Sequence, residues 1–400
     1  MEWKEVTLGE ISSKIGDGLH GTPKYDDEGP YYFINGNNLN CGKIIIKDDT
    51  KRVGKDEFVK NQKELNEQTI LVSINGTIGN VAKYNNELCI LGKSACYINV
   101  IKEVDKEFIY YVLTSANFKR NITNEATGTT IKNVSLKQMR EYKFNIPCNI
   151  SDQRRIASIL SSLDRKIELN NKINADLEEM AQAIFKNWFV DFEPFKDGKF
   201  VDSELGMIPE GWKVGRLTEI ASYMNGLAMQ KFPPENNEDS LPVLKIKELG
   251  QGFCGTDSDR CSCNIKDECK IHNGDVIFSW SGTLLVDVWC GGDCGLNQHL
   301  FKVTSKDYPK WFYYYWTKHH LQEFIHIAKD KAVTMGHIKR GHLEEAMVAI
   351  PDNYSMEKAH ELFEPILSKM ISLRLENSRL SLLRDTLLPR LMSGELEVPE

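Results

Sequence analysis

Two long stretches of the chain repeat apolar residues at steps of three and four, the spacing of one face of an α-helix. The predicted seam positions are Ile156, Leu163, Leu177 and Ile184 in the first stretch and Phe363, Met370, Leu383 and Leu391 in the second. The repeat lasts about five heptads, which favours a coiled-coil seam over an ordinary surface helix. It predicts long helices over 151–190 and 354–393. Each has an apolar face that needs a partner, so we expect the two to pack antiparallel.

An asparagine interrupts each apolar stripe at the corresponding place, Asn170 in the first helix and Asn377 in the second. One interpretation is a pair of polar residues tolerated at a wet end of the seam. The alternative is that the two amides fix the register, because a slipped alignment would leave a buried amide without a hydrogen-bond partner. The pattern leaves both interpretations open.

The sequence before each helix is a faint repeat of the other. The matching segments are WKEVTLGEI (3–11) with WKVGRLTEI (212–220), QTILVSINGTIG (68–79) with GDVIFSWSGTLL (274–285), and FIYYVL (108–113) with FYYYWT (312–317). Their order is the same, and the drifting offsets are typical of insertions and deletions in surface loops. Two copies of one domain are therefore expected, over 1–150 and 212–353, with a linker over 191–211 and a tail over 394–400.

Each copy alternates short β-rich stretches with Gly, Asn and Asp turns, and has one aromatic helix, near 107–118 and 310–326. The tyrosines of these helices are favoured as core residues over base-stacking ones. The predicted fold class is α+β: two similar α/β domains separated by two long helices that pack as an antiparallel coiled coil. A pseudo-twofold internal repeat would place the domains at opposite ends of the helix pair.

Composition indicates a soluble globular protein of several domains, with 400 residues, 41% of them hydrophobic and 27% charged. There is no basic and apolar leader, and the run WFYYYW (311–316) is far shorter than the roughly 20 residues of a membrane span. A cytoplasmic location without membrane association is expected. The net charge of -7 opposes a nucleic-acid partner, but the acid is concentrated in 191–210 and after 351. The repeated domains are near neutral, so a basic face on either stays open.

No catalytic or metal site is predicted. LGKS (91–94) resembles the end of a phosphate-binding loop, but Glu87 stands where the first glycine is required, so the backbone cradle is missing. Dinucleotide-binding, zinc-protease and amino-methyltransferase motifs are also missing. Among the ten cysteines only Cys290 and Cys294 approach the spacing of a zinc knuckle, so buried, reduced thiols are favoured over a metal site.

Polar residues at strand ends differ between the copies while the apolar framework is kept. FINGNNL (33–39) aligns with VLKIKEL (243–249), which replaces asparagines by lysines. Asparagine pairs bidentately with adenine and lysine donates to guanine, so these positions suit the reading of different bases. Ordinary solvated strand ends are the alternative. The candidate DNA-binding residues are Asn35, Asn37, Asn38, Ser73, Asn75, Thr77, Thr129, Thr130 and Lys132 in the first copy, and Lys245, Lys247, Ser279, Ser281, Thr283, Thr334, His337 and Lys339 in the second.

Several segments together resemble the DNA-specificity subunit of Type I restriction-modification systems. They are WKEVTLGEI, GMIPEGWKVGRLTEI, ATGTTIKNVSLKQM, FNIP with SDQRRIASILSSLDRKIELNNKI, LEEMAQAIFKNWFVDFEPF and LLRDTLLPRLMSGEL. The resemblance spans nearly the whole chain, and its most specific part runs from QRRI (153–156) to FVDF (189–192). The second copy departs from it: LMSGELEVPE replaces FKNWFVDF (185–192), and Glu357 and Lys358 stand near the place of the Gln-Arg-Arg. Two partner-docking surfaces that differ in detail are therefore expected.

The resemblance implies a non-catalytic subunit in which each domain reads one half of a split, asymmetric site in double-stranded DNA. The helices would set the spacer and dock two modification subunits, which methylate adenine N6 with S-adenosylmethionine. Two restriction subunits driven by ATP and Mg would complete the complex, and this chain would bind no cofactor. The target base must be flipped out of the duplex, and that step would belong to the partner. A coiled-coil scaffold with two protein-binding domains and a diverged stand-alone restriction-modification enzyme are the alternatives.

Overall fold

The computed structural model describes residues 1–126, 132–235, 239–330 and 336–398. The chain divides into two compact units. The first comprises Met1–Lys166 and Leu380–Glu400, and the second comprises Ile167–Arg379. Each unit therefore combines one repeated domain with a part of both long helices.

The first unit has a four-stranded sheet of order β2-β10-β7-β8, a three-stranded sheet of order β6-β3-β9, and the pairs β1-β11 and β4-β5. Its strands are β1 (Trp3–Thr7), β2 (Ser12–Asp17), β3 (Tyr31–Ile34), β4 (Leu39–Asn40), β5 (Lys43–Ile44), β6 (Arg52–Val53), β7 (Thr69–Ser73), β8 (Val81–Lys83), β9 (Cys89–Leu91), β10 (Ala95–Val100) and β11 (Lys143–Pro147). Its helices are α1 (Lys55–Asn61), α2 (Lys106–Thr114), α3 (Ala116–Glu125), α4 (Leu136–Glu141) and the start of α5 (Ile150–Phe189), with a 3-10 turn at Gly36–Asn38. Strands β3 and β9 are parallel, and the other pairs are antiparallel.

The second unit repeats this topology. Its strands are β12 (Phe200–Ser203), β13 (Gly206–Pro209), β14 (Lys213–Arg216), β15 (Ser222–Asn225), β16 (Ser240–Leu244), β17 (Arg260–Ser262), β18 (Lys270–Ile271), β19 (Val276–Ser279), β20 (Leu285–Val288), β21 (Cys294–Leu296), β22 (Leu300–Thr304) and β23 (Met347–Ile350). Its helices are α6 (Leu217–Ile220), α7 (Ile246–Gln251), α8 (Lys310–His319), α9 (Leu321–Asp330), α10 (Arg340–Glu345) and most of α11 (Asn353–Met392), with 3-10 turns at Glu193–Phe195, Met229–Lys231 and Asp267–Cys269.

Three features of strand pairing confirm the internal repeat. The sheet β15-β22-β19-β20 has the order of β2-β10-β7-β8, and β14 pairs with β23 as β1 pairs with β11. Strand β16 runs parallel to β21, as β3 does to β9. The segment expected as a linker, 191–211, carries the hairpin of β12 and β13, and its Phe192 and Ile208 pack into the core of the second unit with Trp212.

The core of each unit lies between its sheets, its aromatic helix and the long helices. Every residue of β7 and β10 is buried, because both faces of this sheet are covered. The tyrosines of α2 and α8 are buried, as predicted. The single aromatic helix expected in each copy is instead two helices. Ser115 ends α2 and caps α3 by accepting from the backbone N–H of Phe118, and His320, which separates α8 from α9, donates from Nε2 to the Met347 carbonyl at 2.8 Å.

The aromatic block 185–192 belongs to this core. Phe185, Phe189 and Phe192 are buried in the second unit. The ring centroid of Phe189 lies 5.7 Å from that of Trp212 and 5.9 Å from that of Trp311. These phenylalanines are therefore packing residues. The difference between the two copies at this block is a difference in core packing.

The long helices pack antiparallel in both units, as predicted. In the second unit the ring of Phe185 lies 6.3 Å from that of Phe363, while Asn170, earlier in α5, contacts Asn377, later in α11. In the first unit Asp164 accepts from Arg384 at 2.7 Å, and further back α5 shares a core cluster with Leu391. In each unit, residues later in α5 therefore contact residues earlier in α11, as antiparallel packing requires.

Asn170 is fully buried in the seam. Its Nδ2 donates to Asn377 Oδ1 and to Glu376 Oε2, both at 2.9 Å. Asn377 Nδ2 in turn donates to Asn171 Oδ1 at 2.8 Å. The burial of Asn170 argues against the wet-end interpretation, and the paired amides agree with a role in fixing the register.

Most of the predicted seam residues face the packed side of their helix. Ile156, Phe363, Met370 and Leu391 are buried, and Leu163, Leu177 and Ile184 are half-buried. Leu383 is 46% exposed, so its prediction was wrong. Arg384 takes the inward place, because its guanidinium pairs with Asp164, and the same carboxylate accepts from the Tyr111 hydroxyl at 2.7 Å. The apolar stripe there runs through Leu387 and Leu391 instead.

We expect Asn377→Ala to lower the free energy of unfolding of the second unit by about 0.5–1.5 kcal/mol, because the buried Nδ2 of Asn170 loses one of its two acceptors and keeps the Glu376 carboxylate. The double variant Asn170→Leu with Asn377→Leu should recover most of this loss, since both polar partners are removed together. Lys172→Ala, an exposed position on α5 close to Asn170 in sequence, is the control. Urea unfolding followed by circular dichroism measures the three, and equal effects of Asn377→Ala and Lys172→Ala would contradict the register role.

Candidate base-reading surface

Three turns meet at one end of the sheets in the first unit. They follow β3, follow β7 and join β9 to β10. Main-chain hydrogen bonds hold them together: Gly92 N donates to Ile34 O at 2.8 Å, and Ile74 N donates to Ser94 O at 3.0 Å. The segment before α4 joins them where Val134 N donates to Ile74 O at 2.9 Å. Residues far apart in sequence therefore form one surface, which we call the turn surface.

The second unit builds its turn surface with the corresponding bonds. Asn297 N donates to Leu244 O at 3.1 Å, Trp280 N to His299 O at 3.4 Å, and Ile338 N to Trp280 O at 3.1 Å. A backbone bridge joins Ser281 to His337 as one joins Asn75 to Asn133 in the first unit. The main-chain framework is the same in both copies. The two turn surfaces differ in the side chains that this framework carries.

The structure corrects the prediction that Asn38 contacts a base. Its side chain is 4% exposed. Its Oδ1 accepts from Asn35 N at 3.0 Å, and its Nδ2 donates to Ile45 O at 3.0 Å and to Thr50 Oγ1 at 3.2 Å. An amide with all these partners closes its own loop and has no open edge for a base.

The structure also corrects the prediction that Ser73 and Ser279 contact bases, since both side chains are fully buried. Ser279 Oγ donates to the Thr283 carbonyl at 2.7 Å and so closes the turn after β19. Ser73 lies under the turn after β3, where a Cβ added to Gly36 would lie 2.1 Å from its Oγ. Glycine is required at position 36 by this close approach. Ser281 is also nearly buried, beneath its bridge to His337.

The other described candidates lie at the protein surface. Asn37, Thr77, Lys132, Lys247, Thr283, His337 and Lys339 are exposed, and Asn35, Asn75 and Lys245 are half-buried. Thr129, Thr130 and Thr334 lie outside the described residues. Asn75 Nδ2 donates to Asn133 Oδ1 at 3.3 Å, and Asn35 Oδ1 accepts from Ser94 Oγ at 2.9 Å. The half-buried asparagines thus each keep part of their amide for a ligand.

The two lysines of the second turn surface are held by carboxylates. Lys245 pairs with Asp259, and Lys247 Nζ lies 2.6 Å from Asp257 Oδ2. The hydrogen bond from Lys247 lowers the pKa of Asp257, and the same bond raises the pKa of Lys247. Exposed ion pairs of this kind are weak, so an incoming phosphate or base edge can replace the carboxylate.

A cleft of about 600 Å³ opens beside these lysines. Its polar lining consists of Gln230, Lys245, Lys247, Asp259, Arg260, Asn297, Gln298 and His299. Of these residues, the sequence predicted only Lys245 and Lys247 as site residues. One signal was present, since LGKS (91–94) and LNQH (296–299) align between the copies once β9 and β21 are matched.

Neither turn surface holds a metal-binding cluster within the described ranges, where no three His, Cys, Asp or Glu side chains are placed to bind an ion. None of the ten cysteines, all of which are described, forms a disulfide. The buried ones are Cys89, Cys96, Cys261, Cys269, Cys290 and Cys294, which confirms the expected burial. Burial raises the pKa of Cys89 to about 12, so this thiol stays protonated and inert at neutral pH. Over the same ranges, no helix is both long and apolar enough to cross a membrane.

The chain is thus a duplicated-domain protein: one α+β domain occurs twice, with different side chains on the same main-chain framework, and each unit includes part of an antiparallel helix pair. The chain belongs to the family of Type I restriction modification DNA specificity domains, whose model matches residues 1–179 and 209–377. The predicted family is thereby confirmed.

Two specificity subunits match over nearly the whole length of the chain. The chain is 29% identical to the Type I restriction enzyme MjaIX specificity subunit of Methanocaldococcus jannaschii, over 95% of this chain and 87% of that protein. It is 22% identical to the Type I restriction enzyme HindI specificity subunit of Haemophilus influenzae, over 99% and 100%. Its fold is similar to the crystal structure of the Type I restriction-modification system S subunit from M. genitalium, with a TM-score of 0.55, 18% identity, and coverage of 98% and 96%.

Asn38→Ala and Asn37→Ala separate loop closure from surface exposure at neighbouring positions. We expect Asn38→Ala to cost about 1–3 kcal/mol of stability, because it leaves buried loop groups unpaired. Asn37→Ala should change stability by less than about 0.5 kcal/mol, as surface substitutions do. Thermal and urea unfolding of the two variants measure the difference. Equal stabilities would show that Asn38 does not hold the loop.

Proposed function

We propose that this chain reads a split, asymmetric site in double-stranded DNA, one half with the turn surface of each unit. The observation that carries the proposal is the repeated framework with changed side chains. The bridge pair Asn75 and Asn133 becomes Ser281 and His337 on equivalent main-chain bonds. Side chains that differ at equivalent places on one scaffold suit two different half-sites.

The charge of the chain bears on how tightly it would bind DNA alone. Nucleic-acid affinity comes largely from cations that neutralise phosphates, and this chain has a net charge of -7. On the second turn surface two lysines are already paired with aspartates. We therefore expect weak binding by the isolated chain and tight binding only together with the modification subunit.

The long helices are proposed to set the spacing between half-sites. Each has 40 residues and is about 60 Å long at a rise of about 1.5 Å per residue. Half-sites on one face of B-DNA lie on the order of 34 Å apart, a distance that a stiff helix pair of this length can maintain. The buried amides of Asn170 and Asn377 would keep the spacing constant by preventing the helices from slipping.

Catalysis in this proposal belongs to partner subunits. Two modification subunits would dock on the helices and methylate adenine N6 with S-adenosylmethionine, and two restriction subunits would use ATP and Mg. Because Phe185 and Phe189 are buried in the core, we propose that docking uses exposed helix positions instead. Leu169, Met180, Leu382 and Leu383 are such positions, each at least 46% exposed.

Replacing residues 1–145 by the first domain of another family member should change one half of the methylated site only. The reciprocal replacement of residues 212–350 is the matched variant and should change the other half only. Each chimera is expressed with the modification subunit, and methylated adenines are mapped in the host genome. A change in both halves from one replacement would contradict the proposal that each domain reads one half of the site independently. A wild-type chain that gives no methylation pattern and no DNA binding with its partner would favour the protein scaffold.

Inserting four residues into α5 and four into α11, at the level of Asn170 and Asn377, tests whether the helix pair sets the spacing between the half-sites. The insertion adds one helical turn, about 6 Å, so the spacer should lengthen by about two base pairs while both half-sites stay the same. Four residues inserted between β12 and β13, at Glu204 and Leu205, are the control and should leave the spacer unchanged. The idea is wrong if the helix insertions keep the original gap and still methylate.

A further inference from the structure

We propose that one short turn selects a base in each half-site: Lys93-Ser94, between β9 and β10, and its equivalent Gln298-His299, between β21 and β22. This inference rests on the proposed DNA-reading function and specifies which side chains perform it. Neither turn belongs to the residues that the sequence singled out for DNA contact.

The main chain of the first turn is held at the centre of the turn surface. Besides the bonds of Gly92 and Ser94 to the last residue of β3 and to the segment after β7, Lys93 N donates to Leu19 O at 3.1 Å. The end of β3 and the segments following β2 and β7 thus all bond to these three residues. A side chain at position 93 therefore projects from a fixed backbone, as base readout requires.

The second turn is held in the same way. Asn297 and His299 bond to Leu244 and Trp280, and a parallel bridge joins Asn297 to Leu227 where Gly92 is bridged to Leu19 in the first unit. The ring of His299 lies 6.0 Å from that of Trp280. The position of the turn is thus conserved between the copies of the domain, whereas its residues change from Lys-Ser to Gln-His.

These bonds leave the identity of Lys93 and Gln298 without a structural role. The bonds that shape the turn use main-chain atoms, which any residue except proline supplies. Ser94 does contribute its side chain to the fold, accepting from Gly36 N and donating to Asn35 Oδ1, both at 2.9 Å. In the second turn Asn297 does so as well, because its Oδ1 accepts from His299 N at 3.3 Å. The neighbouring side chains are consequently open to selection by the ligand.

The chemistry of the side chains differs in a way that bases distinguish. Lys93 is exposed, and within the described part of the chain no carboxylate pairs with its Nζ, in contrast to Lys245 and Lys247. A lysine in this position can donate to guanine O6 and N7. Gln298 lines the polar cleft of the second unit, with its Nε2 3.3 Å from His299 Nε2, and a glutamine amide pairs bidentately with adenine. We assign a guanine to Lys93 and an adenine to Gln298.

The test uses the full chain with its modification subunit and maps methylated adenines in a host genome. Lys93→Gln should weaken the preference for guanine at one position of the first half-site about tenfold, with the second half-site unchanged. Lys93→Arg should keep guanine, because the guanidinium donates to the same two acceptors. Gln298→Lys should alter one position of the second half-site only.

Lys102→Gln is the matched control, since this exposed lysine follows the opposite end of β10 and should leave the site unchanged. A Lys93→Gln variant that methylates the original site with unaltered preference would overturn the proposal. A uniform loss over all sequences, with a shallower salt dependence, would identify Lys93 as a phosphate contact and also overturn it. Failure of the wild-type chain to produce any bipartite site would instead refute the proposed function itself.

Discussion

The antiparallel packing of α5 against α11 is the constraint on which the rest of the structure depends. Each unit contains a segment of both helices, so neither repeated domain completes its core from its own sequence alone. In the second unit Phe363 of α11 stacks on Trp311 of α8 at 4.7 Å, and in the first Leu391 joins the cluster that holds α2. A helix that slipped by one turn would remove apolar residues from both cores. The buried amide of Asn170 adds a polar penalty to the same slip, because its hydrogen-bond partners would move away.

The elements could be predicted from sequence because their signals are local or repeated. A helical stripe of 40 residues and two copies of one strand order are redundant patterns, and a single irregular position does not hide them. Leu383 shows where such a pattern fails. The apolar period assigns it to the seam, yet Arg384 takes the inward position because its partner Asp164, more than two hundred residues away, already bonds to Tyr111. The apolar periodicity of a helix gives no information about an ion pair between residues far apart in sequence.

The candidate site could be predicted only at the level of its loops. Asn37 and Asn38 are the same residue type at adjacent positions, but one is exposed and the other is buried. The difference comes from Thr50 and the Ile45 carbonyl, which receive the Asn38 amide and whose proximity depends on the fold. The turn at Lys93 carries no local sequence signal for a related reason. Its proposed role depends on its neighbours in space, Leu19, Ile34 and Ile74, which lie far from it in sequence.

The departure of the second copy from the Gln-Arg-Arg block also has a physical cause. In the first unit Gln153 Oε1 accepts from Asp105 N at 2.9 Å, and its Nε2 donates to Pro147 O at 2.8 Å, which joins the start of α5 to the start of α2. In the second unit the residue before α8 is Pro309, which has no N–H to donate. A glutamine at the corresponding place in α11 would therefore lose one of the two hydrogen bonds that Gln153 makes.

The second unit makes the joint differently, through Trp311 Nε1, which donates to His360 Nδ1 at 3.0 Å. The aromatic helix is thus tied to the long helix in both copies, by a backbone amide in one and by an indole in the other. What the two copies share is the joint itself, which ties the aromatic helix of each domain to a long helix. The residues that form the joint could diverge because either bond satisfies that requirement.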